Sequence, residues 1–179
     1  MEEAEVPLEQ AQEDIHHHAA HAKTRWTLGV ALSSALLAGL AAICSLLAGH
    51  HSNEAMIDQI KSSDQWNYYQ AKGIKAAVLS AKIELLEASG KSVNQGDAAK
   101  AARYENDQKD ISAQAKELEK SSESHLRSHV IFSRGVTLFQ VAIAVAAISV
   151  LTNRRRFWLL SVAFGAVGVF FLLQGLLMA

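Results

Sequence analysis

The side chains best suited to chemistry in this sequence are histidines, of which there are eight in 179 residues. His50, His51 and Glu54 share one helical turn, and His125 and His129 stand one turn apart in a later segment. Imidazole titrates near neutral pH and binds divalent transition metals well, so these five residues are candidate metal ligands or a proton switch. Asp58 and Asp64 fall on the same stretch as the first group and could meet the second. A plainer reading competes: polar residues in a helix seam fix register and partner number. A further group, His16, His17, His18 and His21 beside Glu13 and Asp14, puts i,i+4 pairs in the N-terminal tail. That tail is either a metal site or merely solvated.

No enzyme signature accompanies them. The sequence lacks GxSxG, a Walker loop, HExxH and any glycine-rich strand-to-helix turn, so a non-enzymatic role is expected and no catalytic or cofactor-binding residue is assigned. The single cysteine, Cys44, offers neither a disulfide nor a CxxC pair. A net charge of -1 gives no basic face for displacing counterions from phosphates, so no nucleic-acid partner is expected.

The elements that must position the histidines follow from where the charges lie. Residues 26–49, 135–152 and 157–179 contain no Asp, Glu, Lys or Arg. Burying three such runs in a water-soluble core takes far more polar structure than this chain has, whereas each approaches the length of a membrane span. About 25 polar residues precede the first run, which is too long for a signal peptide and reads as an anchor. The expected fold is all-α: an integral membrane protein with three transmembrane helices and a long extramembrane helical hairpin. Its parts are a tail (1–25), a first span (26–49), the hairpin (50–134), a second span (135–152), a turn (153–156) and a third span (157–179).

Arg154, Arg155 and Arg156 fill the turn between the last two spans, and short basic loops stay inside. Lys23 and Arg25 put the N-terminus on the same side, and Trp26 and Trp158 sit at the inner interface. Residues 50–134 carry twelve acidic and twelve basic side chains and go outside, with the C-terminus. Only Gln140 and Gln174 are notably polar within the spans; an active transporter is disfavoured, and a passive pore stays open.

The hairpin reads as two proline-free arms, one to about Ala88 and one from Asp97, continuous with the first and second spans. Gly90 stops the first arm and Asp97 is the expected N-cap of the second. In the first arm Ile57, Ile60, Asp64, Asn67, Ala71, Ile74, Val78, Ala81, Leu85 and Ala88 alternate spacings of three and four, a coiled-coil-like seam. Ala101, Tyr104, Gln108, Ile111, Ala115, Leu118, Ser122, His125, His129 and Phe132 form its counterpart. A fold near residue 93 brings Asp64 opposite Ser122 and His129 near Ile57. A second stripe on the first arm, Tyr69, Ala76, Leu79, Ile83 and Leu86 with Trp66 nearby, is then left for another copy of the chain. Small residues of the first span (Ala31, Ala35, Gly39; Ser34, Ala38, Ala42) suit the same homo-oligomer, or packing against Gly165, Gly168 and Gly175.

Gly49-His50-His51-Ser52-Asn53-Glu54-Ala55 and Ser63-Asp64-Gln65-Trp66-Asn67-Tyr68-Tyr69-Gln70-Ala71-Lys72 carry a resemblance. The chain resembles, over nearly its whole length, a bacterial family of small inner-membrane proteins classed as a domain of unknown function, with an acidic, histidine-rich N-terminus. The resemblance implies a bacterial inner-membrane location and supplies no activity, cofactor or catalytic residue. The expected function is an oligomeric scaffold or interaction module in the lipid bilayer, whose contact surface includes Trp66, Tyr68, Tyr69, Ala76, Leu79, Ile83 and Leu86. It serves other copies of the chain or an unidentified protein partner. The alternative is a metal- or proton-responsive sensor or passive pore that uses His50, His51, Glu54, His125 and His129, with a divalent transition metal as its only conceivable cofactor.

Overall fold

With no proline after Pro7, nothing interrupts the helix-forming stretches that follow. The computed structural model, which describes residues 25–178, accordingly folds into helices α1 (Arg25–Ala88), α2 (Gln95–Thr152) and α3 (Arg155–Met178). No strand occurs among the described residues. Each helix holds a stretch long and apolar enough to cross a membrane. The expected continuity of the arms with the apolar runs holds: α1 is 64 residues long and α2 58.

Both reversals are closed by one device. At Gly90, φ is 67°, the Gly90 amide donates to Glu87 O and the Lys91 amide donates to Leu86 O. Asn153 repeats this with φ 51°, its amide donating to Val150 O and that of Arg154 to Ser149 O. Both are Schellman caps, with the left-handed residue at C′. The start of α2 corrects the sequence reading. Asn94, not Asp97, is the cap: its Oδ1 accepts from the Gly96 amide at 2.9 Å and its carbonyl from the Asp97 amide. Asp97 sits in the first turn, where a carboxylate suits the helix dipole, and takes Lys82 Nζ at 2.6 Å.

The described chain divides into two compact units. One contains α1 up to Ser52, α2 from Leu126 and all of α3; the other is Asn53–His125. In the first unit the core is Leu37, Cys44 and Ala48 of α1, Phe132, Phe139, Ala142 and Ile143 of α2, and Leu172 of α3. Ser161, Gly165, Gly168, Leu172 and Gly175 form the buried face of α3, again at spacings of four and three. The glycines are holes for knobs: Leu37 lies over Gly165, Phe139 over Gly168 and Phe132 over Gly175. Gly165, Gly168 and Gly175 therefore take up side chains of the same chain. Hydroxyls in this unit are satisfied by carbonyls, Ser161 Oγ donating to Ala142 O at 2.7 Å and Ser34 Oγ to Ala31 O at 2.9 Å.

The second unit is an antiparallel hairpin, and it reverses the reading of α1. The stripe that meets α2 runs through Ala55, Asp58, Ser62, Tyr69 and Ala76, while Ile57, Ile60, Asp64, Asn67, Ile74, Val78, Ala81 and Leu85 are exposed. On α2 the expected positions are used, with Ala101, Ile111, Ala115 and Ser122 buried. Close approach explains the choice. Small residues on both sides let Ser122 Oγ donate to Ala55 O (2.7 Å) and Ser62 Oγ donate to Ala115 O (3.1 Å), directly across the seam. The bulkier Ile57, Ile60, Ile74 and Val78 do not permit that distance. Register differs too: Ser122 meets Ala55 rather than Asp64, a displacement of more than two helical turns along α1. Lys82 pairs with Asp97, so the end of α1 overhangs the start of α2 and the pivot lies nearer the end of α1 than residue 93.

Candidate functional site

The five candidate ligands divide between the two units. His51 is buried with its ring stacked on Phe132 at 5.5 Å, whereas His50 is exposed. Adjacent residues on a helix diverge by about 100°, so these two rings aim at different surroundings. His129 Nδ1 lies 2.8 Å from Ala48 O and, because a carbonyl only accepts, carries the proton and donates. Glu54 and His125, both half-buried, belong to the hairpin unit. Among the described residues no three His, Cys, Asp or Glu side chains gather so as to hold a metal ion. The imidazoles of His51 and His129 instead pack on a ring and satisfy a backbone oxygen. His16, His17, His18 and His21 lie outside the described residues.

Asp58, which the sequence suggested only as a carboxylate near the histidines, anchors the hairpin. It is buried, accepts from Ser121 Oγ at 2.6 Å and pairs with Lys61 Nζ at 3.5 Å. The Ser121 hydrogen bond holds its carboxyl below the usual range; burial opposes this, and Lys61 and His125 add to it. A carboxyl lowered in the fold stabilises it above the unfolded value, about 4, and that contribution disappears as pH falls through the folded value. The thermal midpoint of the full chain in detergent, followed by circular dichroism, should therefore fall below about pH 4, and Asp58→Asn should flatten part of that fall. An acid limb unchanged in Asp58→Asn removes the carboxylate from this account. Beside it Asp58, Gln114, Glu117, Leu118 and Ser121 line an open cleft of about 430 Å³.

The aromatic group on α1 splits by face. Trp66 is half-buried and donates Nε1–H to Glu119 Oε1 at 2.7 Å, with Tyr69 edge-on at 5.5 Å. Tyr68 is exposed. Lys72 lies between the Tyr68 and Tyr104 rings, 5.2 and 5.0 Å from their centroids, and bonds Asp107 Oδ2 at 2.7 Å. Asp107, then Tyr68, raises the Lys72 pKa. The Tyr68–Lys72 i,i+4 spacing was the one signal of this clamp in the sequence. Of the remaining residues expected to form an outward contact surface, Ala76 is buried and Leu79, Ile83 and Leu86 are half-buried, all within the hairpin. Tyr69, on the same stripe, faces α2, its carbonyl accepting from Gln108 Nε2–H at 3.2 Å.

What the hairpin leaves uncovered is the other stripe. Ile57 is 42% exposed, Ile60 55%, Ile74 66%, Val78 63% and Leu85 69%. Isolated exposed apolar residues mean little, but Ile57 with Ile60, and Ile74 with Val78 and Leu85, line up on one helix face as two apolar stretches separated by the exposed Asp64 and Asn67.

In the other unit Arg154, Arg155 and Arg156 are exposed and line an open cleft of about 390 Å³. Arg155 lies over the Trp26 ring at 5.8 Å, and Trp158 Nε1–H donates to Ser33 Oγ at 3.1 Å. All of α1 but Arg25, both reversals and all of α3 fall within residues 26–178, which match the domain of unknown function DUF4337. The chain belongs to the DUF4337 family. No curated protein and no solved structure matches this DUF4337 chain. Its family therefore names no activity, and the uncovered stripe of α1 is the feature of this DUF4337 domain that most needs a function.

Proposed function

We propose that this DUF4337 protein is a non-enzymatic, multi-pass protein of the bacterial inner membrane that presents its helical hairpin outside as an interaction module. The observation that carries the reading is the exposed apolar stripe on α1, whose other face is already occupied by α2. A helix covered on one face and apolar on the other serves a contact rather than a pocket. The membrane part rests on three helices with apolar stretches of spanning length, whose lipid-facing surface would include Leu32, Leu36, Leu46, Phe170 and Leu177. Orientation rests on the three exposed arginines at the α2–α3 reversal, Arg154 in the turn and Arg155 and Arg156 opening α3, since short basic connections stay inside. Trp26 and Trp158, close to that turn, suit the headgroup level.

Reporter fusions test the layout. A reporter active only in the periplasm should be active when inserted after Asn94 or fused after Ala179, and silent after Arg154. Replacing all three arginines by glutamate should lower the Ala179 signal several-fold by removing the inward retention signal. Activity after Arg154 in the parent chain, or recovery of the protein from the soluble fraction without detergent, would end this reading.

A further inference from the structure

We infer that the uncovered stripe of α1 is the seam along which two copies of this chain pair in parallel; the inference rests on the membrane reading above and gives the module its partner. The ten positions from Ile57 to Ala88 alternate three and four without a break, which is the a/d count of a two-stranded seam. The hairpin cannot fill it, because α2 lies on the opposite face.

Area and charge favour a second copy. At 1.5 Å per residue the hairpin part of the stripe is roughly 47 Å long, and a band as wide as the helix, about 10–12 Å, gives roughly 500 Å² per copy, which reaches the ~1,000 Å² in total that a specific interface needs. Copies held in one bilayer send α1 the same way, so pairing is co-directional and each seam residue meets its twin. Asn67 then faces Asn67, and a carboxamide both donates and accepts. Flanking positions avoid like charges: in a parallel pair Met56 lies beside the partner's Lys61, Gln70 beside the partner's Lys75 and Ala77 beside the partner's Lys82. One position is adverse. Asp64 faces Asp64, two exposed carboxylates that lower affinity and mark the register.

The adverse position makes the test specific. The full chain with Cys44→Ala is reconstituted alone into phosphatidylethanolamine–phosphatidylglycerol vesicles and oxidised with single cysteines. Ile74→Cys should give a disulfide-linked dimer and Ala76→Cys, facing α2, should not. Adding Val78→Asp should cut the Ile74 cross-link about tenfold while leaving helix content by circular dichroism unchanged. Asp64→Lys supplies the second arm: mixed with the parent chain, the two should cross-link to each other on the order of fivefold to tenfold above the statistical share, because each like-charged pair becomes an opposite one. Protein that resists alkaline extraction from the vesicles yet gives no Ile74 dimer, equal dimer at Ala76, or only statistical mixing overturns the pairing and leaves the membrane reading standing. Protein that washes off the vesicles overturns both.

Discussion

Gly175→Leu should dismantle the three-helix unit. A Cβ at this position would stand 2.5 Å from Phe132 Cε1 and 2.6 Å from its Cζ, closer than carbon atoms approach. Phe132 is itself fully buried, stacked on His51, so the ring has little room to withdraw. Overpacking a well-filled core costs about 1–3 kcal/mol, and a leucine forced against an immobile ring belongs at the upper end. In the bilayer setting proposed for this unit the loss would not be recovered elsewhere, because helices in lipid associate mainly through close packing and not through expulsion of water. We expect the detergent-solubilised variant to lose about 3 kcal/mol, seen as a lower denaturant midpoint, and Phe132→Leu in the same chain to restore part of it. Gly49→Ala, where nothing stands within 4 Å, should be neutral or stabilising by about 1 kcal/mol from helix propensity alone. If Gly175→Leu matched the parent, α3 would not be seated as described.

That expectation also explains why α3 carries three glycines at all. Each costs the helix roughly 1 kcal/mol in conformational freedom relative to alanine. Phe132 and Phe139 could not otherwise enter the α2–α3 contact, and both are fully buried there. Spacing in the sequence marked these glycines as sites of close approach. It could not say whether another copy or the same chain would fill them.

How far the rest was legible depends on which force decides it. Element boundaries follow from local chemistry, so the Gly90 stop and the helix continuity through Gly49 and Arg134 could be read directly. The α2 start is ambiguous in the sequence because Asn94 and Asp97 are both good caps, and only the hydrogen bond from the Gly96 amide to Asn94 Oδ1 separates them. The faces of α1 were exchanged for a subtler reason. Both stripes are apolar, and a count of threes and fours ranks Ile57, Ile60, Ile74 and Val78 above Ala55, Ser62 and Ala76. What selects the second set is the distance at which serine hydroxyls reach carbonyls on the facing helix. Carbonyls occur at every residue, so their use leaves no mark in the sequence. The histidines show the same limit: His51 on Phe132 and His129 on Ala48 O depend on how α2 lies along α1.

The exchange of faces can be tested by one pair of adjacent residues. Ala76 is 7% exposed on the face against α2, and Ala77 is exposed. Ala76→Asp places a carboxylate between packed helices, where an unpaired charge costs about 3 kcal/mol or more. Lys72, one turn away, is already bonded to Asp107 and clamped by two tyrosine rings, so it is not free to compensate. Amide hydrogen exchange around residues 65–85 and 100–112 of the full chain should therefore accelerate roughly 100-fold in Ala76→Asp. Ala77→Asp should stay within about 0.5 kcal/mol of the parent, as surface substitutions do. The sequence count alone predicts the opposite order, with Ala76 outward and Val78 in the hairpin seam. A silent Ala76→Asp together with a Val78→Asp that unfolds the hairpin would turn α1 around, and with it the stripe assigned to the second copy.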